Sequence, residues 1–169
     1  MKILTLALFM IMGCSTNSYK KTVDFVERDR FMGTWYVQAG RFTPFEKGVH
    51  NGVENYSWND KEERIDISFT YNKDSLTGEL KSVPQKGWIY NNQTNAHWKV
   101  SPFWPLKFHF LVIALGANYE WTAIGVPDQA YLWIMTREKK LSRESVEKMI
   151  QEIRALGYRT DEIVFVPQA

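Results

Sequence analysis

The chain has 169 residues, of which 44% are hydrophobic and 15% aromatic, and its formal net charge is +2. This length fits one domain with its own core, and the near-neutral charge excludes the extended basic surface typical of nucleic-acid binding. A single cysteine, Cys14, excludes an intramolecular disulfide and a cysteine-based zinc cluster. Three scattered histidines, His50, His97 and His109, offer no evident metal site. We therefore expect no nucleic-acid partner, no metal and no cofactor.

The first residues predict a secretory leader. Lys2 precedes the apolar run 3–12, which is shorter than the ~20 residues of a spanning helix and typical of a signal peptide. The run ends at Gly13-Cys14-Ser15, which resembles a bacterial lipobox, where signal peptidase II cleaves before a cysteine that is then acylated, palmitate being one such chain. The resemblance implies a signal peptide over 1–13 and a lipidated tether over 14–22. An ordinary secretory signal with an incidental cysteine is the alternative.

The residue after the cysteine bears on localisation. By resemblance to lipoproteins of Gram-negative bacteria, Ser15 in place of an aspartate favours sorting to the outer membrane, with the protein facing the periplasm. Each buried CH₂ of an acyl chain contributes ~0.8 kcal/mol, so a doubly or triply acylated Cys14 would anchor the chain stably.

The stretch 29–41 predicts a tight turn that leads into a strand. Gly33 permits the turn, and the aromatic and β-branched residues after it suit a half-buried pleated surface. Trp35 is large enough to plug the end of a small barrel. Taken alone, the motif is better explained as a glycine-led strand with a core tryptophan.

Short strand candidates separated by turn residues follow along most of the chain. They are the segments 36–41, 53–58, 64–71, 79–83, 87–90, 97–100, 108–115, 120–126 and 131–137. The segment 64–71 alternates strictly, with apolar residues at every second position, whereas 108–115 also fits a short helix by pattern alone. Many short strands at near-regular spacing predict an antiparallel sandwich or barrel.

The pattern changes once, after residue 141. Ser142 is a good helix N-cap and Gly157 can end the helix. Between them one apolar stripe predicts a helix that packs against the sheet; it contains Val146, Met149, Ile150 and Ile153. The segment 162–166 predicts a short terminal strand.

Three separated segments together resemble the lipocalin family, specifically the bacterial outer-membrane lipoprotein type similar to apolipoprotein D. Gly33-Thr34-Trp35-Tyr36 matches the first family motif, and 125–134 resembles the second, with its hairpin turn at Pro127-Asp128. Thr136-Arg137 resembles the third, whose arginine packs across the tryptophan at the closed end. Gln129 departs from the arginine common in bacterial members.

The resemblance implies an all-β fold for residues 23–169: an eight-stranded antiparallel up-and-down barrel with one C-terminal helix outside and a short terminal strand. Such a barrel has room for side chains or one small ligand. For this subgroup the implied ligands are fatty acids or lysophospholipids, and a homodimer is a further possibility.

Strand alternation supplies candidates for a ligand pocket. The apolar and aromatic candidates are Val37, Tyr56, Ile67, Phe69, Trp88, Trp98 and Tyr119. Arg41 and Lys99 are candidates for receiving a phosphate or carboxylate near the mouth. An error of one residue in phase would turn a whole strand face outward.

The leading hypothesis is therefore a membrane-tethered protein that carries or scavenges lipid breakdown products in envelope maintenance or stress. A second hypothesis is an interaction protein with a filled barrel and a contact surface at Phe103-Trp104. The least favoured is a lipid-modifying enzyme, because the only cysteine is predicted to be acylated and no Ser-His-Asp constellation is evident.

Overall fold

The computed structural model describes residues 18–169, so the predicted leader and Cys14 lie outside the described residues. Eight strands close into an antiparallel barrel, as predicted, and a short ninth strand bonds outside it. The elements are α1 (Arg28–Phe31), β1 (Gly33–Arg41), a 3₁₀ turn (Pro44–Glu46), β2 (Val49–Asn59), β3 (Arg64–Lys73), β4 (Leu80–Asn91), β5 (His97–Ser101), β6 (Phe108–Leu115), β7 (Trp121–Gly125), β8 (Leu132–Thr136), α2 (Arg143–Ala155) and β9 (Val164–Phe165).

Strand β1 closes the barrel by pairing on both edges. From β2 to β8 each strand pairs with the next in sequence, and β1 pairs with both β8 and β2. The pairing with β2 covers only Gly33 to Tyr36, whereas the pairing with β8 continues to Arg41. Beyond Tyr36, the edge of β1 that β2 has left is taken by β9, which pairs with Ala39 and Gly40.

Helix α2 packs on the outer wall. The Ser142 hydroxyl accepts a hydrogen bond from the Ser145 backbone N–H at 3.1 Å, which confirms the predicted N-cap, and Gly157 after the helix has φ +83°. The buried stripe of Val146, Ile150 and Ile153 belongs to a second apolar layer formed with the outward faces of β6, β7 and β8. The predicted packing of the helix against the sheet is thus confirmed.

One prediction of strand boundaries is wrong. The segments 79–83 and 87–90 were expected as two strands, but they form the single strand β4. Pro84, which lacks a backbone N–H, pairs with Ser68 of β3, while β5 joins the other edge of β4 only from Lys86 onward. Proline is tolerated there because that edge has no partner strand at this position.

The two ends of the barrel differ in how they are covered. We call the end at the β2–β3, β4–β5 and β6–β7 turns the closed end, and the other the open end. An N-terminal strap, residues 18–27, runs between them: the Tyr19 N–H donates to the Pro127 carbonyl at the open end, and the Val26 N–H donates to the Thr94 carbonyl at the closed end. Helix α1 then crosses the closed end. Within residues 18–169, no helix has the length and apolar character needed to cross a bilayer.

Candidate ligand-binding site in the barrel

A tryptophan and an arginine form the floor of the barrel. Trp35 is fully buried, and its Nε1–H donates to the Phe31 carbonyl at 2.8 Å. The guanidinium carbon of Arg137 lies 3.7 Å from the centre of the Trp35 ring, within the range of a cation–π contact. The closed end is therefore sealed by side chains from β1, α1 and the segment after β8.

Arg137 also ties the entry to β1 in place. Its guanidinium donates to the Thr34 carbonyl at 2.7 Å and to the carbonyls of Arg30, Phe31 and Met32 at 2.8, 3.0 and 2.9 Å. The chain bends at Gly33, where φ is +94°, a conformation that favours glycine. The three residues singled out from the sequence, Gly33, Trp35 and Arg137, thus meet at the closed end.

The inner wall above this floor is mainly aromatic and aliphatic. Five of the candidate pocket residues belong to the buried core inside the barrel: Val37, Tyr56, Ile67, Phe69 and Trp98. The Trp98 ring stacks on Phe110, with centroids 5.2 Å apart, and meets the Phe31 ring edge-on at 5.1 Å. These side chains pack against one another inside the barrel and form an apolar, aromatic lining.

The inward orientation expected for Trp88 is wrong, and the role expected for Lys99 at the mouth does not fit its position on the outer face. Ile65 faces the interior and pairs with Gly87, so Gly87 faces inward and the next residue, Trp88, faces outward. Trp88 pairs with Lys99, which therefore shares the outer face. Consistent with this, the Lys107 ammonium lies 4.0 Å from the centre of the Trp88 ring, and the Lys99 ammonium lies 4.7 Å from that of Tyr90.

Arg41 is also on the outside, where carboxylates already neutralise it. Its guanidinium lies 3.5 Å from Asp161 Oδ1 and 3.3 Å from Glu162 Oε2, and it donates to the Gln129 carbonyl at 3.4 Å. The role expected for Arg41, receiving an anionic head group, does not fit this arrangement. Arg41 instead holds the C-terminal segment and the β7–β8 turn against β1.

Tyr119 is buried, but it lies at the closed end, not in the wall above the floor. It has φ +61° in the β6–β7 turn, and its hydroxyl accepts a hydrogen bond from the Glu27 N–H at 2.7 Å. The Arg30 guanidinium carbon lies 4.1 Å from the centre of its ring. Tyr119 therefore fastens the N-terminal strap to the closed end.

A buried carboxyl group inside the barrel was not expected from the sequence. Glu54 is only 6% exposed, and the Tyr56 hydroxyl donates to its Oε2. Burial, together with the nearby Glu46 carboxylate, raises the pKa of Glu54 to about 7, although the hydrogen bond from Tyr56 acts in the opposite direction. Strand alternation could have predicted this position from the sequence, because residues 54 and 56 of one strand share a face. Once Tyr56 is placed inside, Glu54 must lie inside too.

A second carboxylate stands at the mouth. Glu46, in the turn after β1, accepts a hydrogen bond on Oε1 from the Trp133 Nε1–H at 2.8 Å. Its Oε2 accepts from the Thr43 backbone N–H at 3.0 Å and from the Thr43 hydroxyl at 2.6 Å, forming a capping box. Trp133 packs against the interior core. The two carboxyl groups described here, Glu46 at the mouth and Glu54 inside the barrel, are therefore on the ligand side of the wall, whereas Arg41 and Lys99 lie outside.

Two concavities of about 390 Å³ each lie on the outer surface of the barrel. One is beside the closed end, between Phe25, Arg28 and Asn95. The other lies along β2, β3 and β4, between Asn55 and Lys86. Most of the residues that line them are polar or charged, so they do not replace the apolar barrel interior as the candidate site.

Comparison with known proteins is consistent with this geometry. The family model described as "Lipocalin-like domain" matches residues 26–168. The outer membrane lipoprotein Blc of Escherichia coli is 30% identical over 165 residues, covering 96% of this chain and 92% of that protein. The Vibrio cholerae protein of the same name is 27% identical over 168 residues, covering 98% of this chain and 96% of its own.

Solved structures with low sequence identity share the fold. Lobster apocrustacyanin A1 superposes with a TM-score of 0.66 at 15% identity, covering 85% of this chain and 80% of that one. Insecticyanin from the tobacco hornworm Manduca sexta gives 0.66 at 14% identity, with coverage of 88% and 84%. With its closed barrel, its sealed floor and a family match over most of its length, this chain belongs to the lipocalin family, whose members bind small hydrophobic ligands.

Proposed function

We propose that this protein is a lipid carrier or scavenger, held at the outer membrane by acyl chains on Cys14, that binds fatty acids or lysophospholipids in envelope maintenance. The observation that carries the proposal is the apolar, aromatic interior above a floor sealed by Trp35 and Arg137. The similarity to outer membrane lipoproteins over nearly the whole chain supports the location. Within this proposal, residues 1–13 are a signal peptide, residues 14–22 a lipidated tether and residues 23–169 the barrel domain, which faces the periplasm.

The mechanism is partition of an acyl chain from water into the barrel. Transfer of apolar surface out of water contributes about 25 cal/mol per Å², or ~0.8 kcal/mol per CH₂. The acyl chain of the ligand enters from the open end, because Trp35 fills the floor at the closed end and α1 crosses it. Phe69 and Trp98, both in the interior core, are the side chains expected to contact it.

The charges favour binding with the tail inward and the head group at the mouth. Glu54 inside the barrel and Glu46 at its opening disfavour an anionic head group in the interior. Exposed lysines instead lie in the open-end loops, at Lys47, Lys73 and Lys107. We assign to them the contact with phosphate or carboxylate that the sequence suggested for Arg41 and Lys99.

The carrier proposal is tested by titrating the delipidated full-length protein with palmitate and with lysophosphatidylcholine. The readouts are tryptophan fluorescence and melting temperature. A bound ligand at 100 times its Kd stabilises the folded state by about 2.7 kcal/mol, so saturable quenching and a higher melting temperature should occur together. The matched variants are Phe69→Ala in the interior and Trp88→Ala on the outer wall; we expect only the first to change the Kd.

The packed interior favours a second candidate, an interaction protein with a filled barrel. The same titration separates the two. If the wild type does not respond but Phe69→Ala binds ligand, the native barrel is filled and the carrier proposal is wrong. Turnover of a lipid substrate by the wild-type protein would instead favour an enzyme on the same scaffold.

A further inference from the structure

Large apolar side chains are exposed mainly at the open end of the barrel. The β1–β2, β3–β4 and β5–β6 loops and the adjoining strand ends carry seven of them, which we call the apolar rim: Phe45, Leu76, Leu80, Phe103, Trp104, Leu106 and Phe108. Phe45 is 83% exposed and Trp104 is 80% exposed. Because contiguous exposed apolar surface is uncommon on soluble monomers, such a rim marks a contact surface.

The composition of these loops fits the boundary between water and lipid. Tryptophan is enriched at membrane interfaces, where its ring is partly buried and partly wet. Exposed lysines stand among the aromatic residues, at Lys47, Lys73 and Lys107. Each basic residue near an anionic bilayer surface contributes about 1 kcal/mol of attraction. Aromatic side chains suited to the head-group region and lysines suited to contact phosphate are thus present on the same loops.

The path of the N-terminal strap leads to the same end. The Tyr19 N–H donates to the Pro127 carbonyl in the β7–β8 loop at 2.7 Å, and the Tyr19 ring meets Tyr158 edge-on with centroids 4.8 Å apart. Lys20 and Lys21 beside it are exposed. The chain toward Cys14 therefore leaves the barrel at the open end.

The length of the segment between Cys14 and Tyr19 determines which end of the barrel can reach the membrane. Five residue steps separate Tyr19 from Cys14, a reach of at most ~17 Å when fully extended. The closed end lies roughly 20 Å further along the barrel, judged from the length of β1 and a typical strand tilt. An anchor at Cys14 can bring the open end onto a bilayer, but it cannot bring the closed end there.

We infer that the apolar rim docks on the phospholipid bilayer in which Cys14 is anchored, so that the mouth of the barrel faces the lipid. This inference rests on the acyl anchor of the proposed function. A ligand would then pass between bilayer and barrel without crossing bulk water. The rim, the lysines and the exit of the strap lie at the four loops of one end, whereas at or near the closed end only Phe25 of the strap and Tyr90 near the end of β4 are large exposed apolar residues among residues 18–169.

The test uses full-length acylated protein in vesicles of phosphatidylethanolamine and phosphatidylglycerol, labelled at one introduced cysteine with the fluorophore NBD. The variants are Phe45→Cys on the rim, Tyr90→Cys on the outer wall, where the aromatic side chain is 60% exposed, and Asn92→Cys in a closed-end turn. An acylated Cys14 has no free thiol, so only the introduced cysteine reacts. Labelling of the parent chain would show that the anchor is missing.

We expect the probe at position 45 to shift to the blue and brighten several-fold in vesicles, and to be quenched by nitroxide-labelled phospholipid. The probes at positions 90 and 92 should emit as they do in water. Equal responses at 45 and 90 would overturn the inference. So would an emission change at position 45 that follows protein concentration in detergent without vesicles, because a second copy of the chain would then occupy the rim.

Ligand transfer separates this inference from the carrier proposal. The double variant Phe45→Ser/Trp104→Ser should bind lysophosphatidylcholine in solution as the wild type does, yet take it up from vesicles at least about threefold more slowly; Tyr90→Ser is the matched control. If wild-type protein binds no lipid but the probe at position 45 enters the bilayer, the carrier function fails and docking stands. If binding is normal and that probe stays in water, docking fails alone.

Discussion

The two ends of this barrel are built from opposite kinds of residues. The closed end has polar turns, such as 59–63 and 91–95. In its floor, Arg137 makes a cation–π contact with Trp35 and donates hydrogen bonds to neighbouring backbone carbonyls. The open end exposes phenylalanine and tryptophan and keeps carboxyl groups at its mouth. The contrast fits the division of roles proposed above, in which the closed end stabilises the fold and the open end meets lipid.

The barrel wall between β1 and β2 also differs between the two ends. Direct pairing of β1 with β2 stops at Tyr36, and above that point the C-terminal segment bridges the two strands. The Gln168 side-chain amide donates to the Val37 carbonyl at 2.8 Å and to the Gly52 carbonyl at 3.0 Å. Its Oε1 is buried with no partner among the described residues. Backbone hydrogen bonds also bridge the two strands here, from the Val166 N–H to the Gln38 carbonyl and from the Asn51 N–H to the Pro167 carbonyl, both at 2.8 Å. The upper wall thus contains a seam filled by the C-terminal segment, whereas in the lower wall β1 and β2 pair directly.

The strongest test of the comparison is Trp35→Ala. Removing a fully buried aromatic side chain leaves a cavity and costs about 3–5 kcal/mol. Trp104→Ala on the rim should change the free energy of unfolding by less than ~0.5 kcal/mol, because its side chain is already 80% exposed. Urea unfolding of both variants measures the difference. Equal losses would mean that the two ends share the stabilising role.

The buried carboxyl group inside the barrel, which lies level with Trp35, predicts a pH dependence. The pKa of Glu54 is raised from 4.5 to about 7 in the folded chain, chiefly by burial and further by the Glu46 carboxylate, against the opposing effect of the hydrogen bond from Tyr56. The folded state therefore binds more protons than the unfolded state between these values, and the free energy of unfolding falls as pH rises through that window, by up to roughly 3 kcal/mol. Denaturant titrations from pH 4 to pH 8 should show this fall.

Glu54→Gln is the matched variant for that prediction. Glutamine keeps the shape and can still accept the Tyr56 hydrogen bond, but it does not ionise. The difference in unfolding free energy between wild type and variant should therefore grow with pH up to about pH 7 and then level off. Parallel pH profiles for the two proteins would contradict the assignment to Glu54.

Arg137→Met probes the floor without removing Trp35. The methionine side chain can still cover the Trp35 ring, but the four backbone carbonyls that accept hydrogen bonds from the guanidinium lose their charged donor. We expect the free energy of unfolding to fall by about 2 kcal/mol. Hydrogen bonds to charged groups contribute ~1.5–3 kcal/mol, and water can partly replace the lost donor at these carbonyls. Unchanged stability would show that the cation–π contact and the carbonyl contacts contribute little.

The sequence predicted the closed end better than the open end, for a physical reason. Gly33, Trp35 and Arg137 act through local geometry and a recognisable motif, so their positions could be expected. The phase of β4 could not, because its apolar residues occur at both parities, with Val83 and Ile89 inside and Trp88 outside. Only the long-range pairing of Ile65 with Gly87 decides which parity faces inward.

Glu54 and Arg41 show two other limits. Glu54 lay within reach of the alternation argument, but its charge argued against a buried position; the raised pKa removes that objection, because the group can be neutral. The orientation of Arg41 depends on carboxylates 120 positions away, at Asp161 and Glu162. Ion pairs between residues so far apart in the sequence produce no local sequence pattern from which the orientation of Arg41 could be predicted.

The smallest effect is expected for Arg41→Gln, and it decides whether this arginine belongs to the mouth or to the outer wall. Its carboxylate partners are about half exposed or more, so screening by water keeps the pairs weak, and the melting temperature should fall by no more than about 3 °C. Because the side chain points away from the interior, the Kd for lysophospholipid should not change. A tenfold loss of affinity with an unchanged melting temperature would instead return Arg41 to the ligand site and weaken the argument that head groups meet the rim lysines.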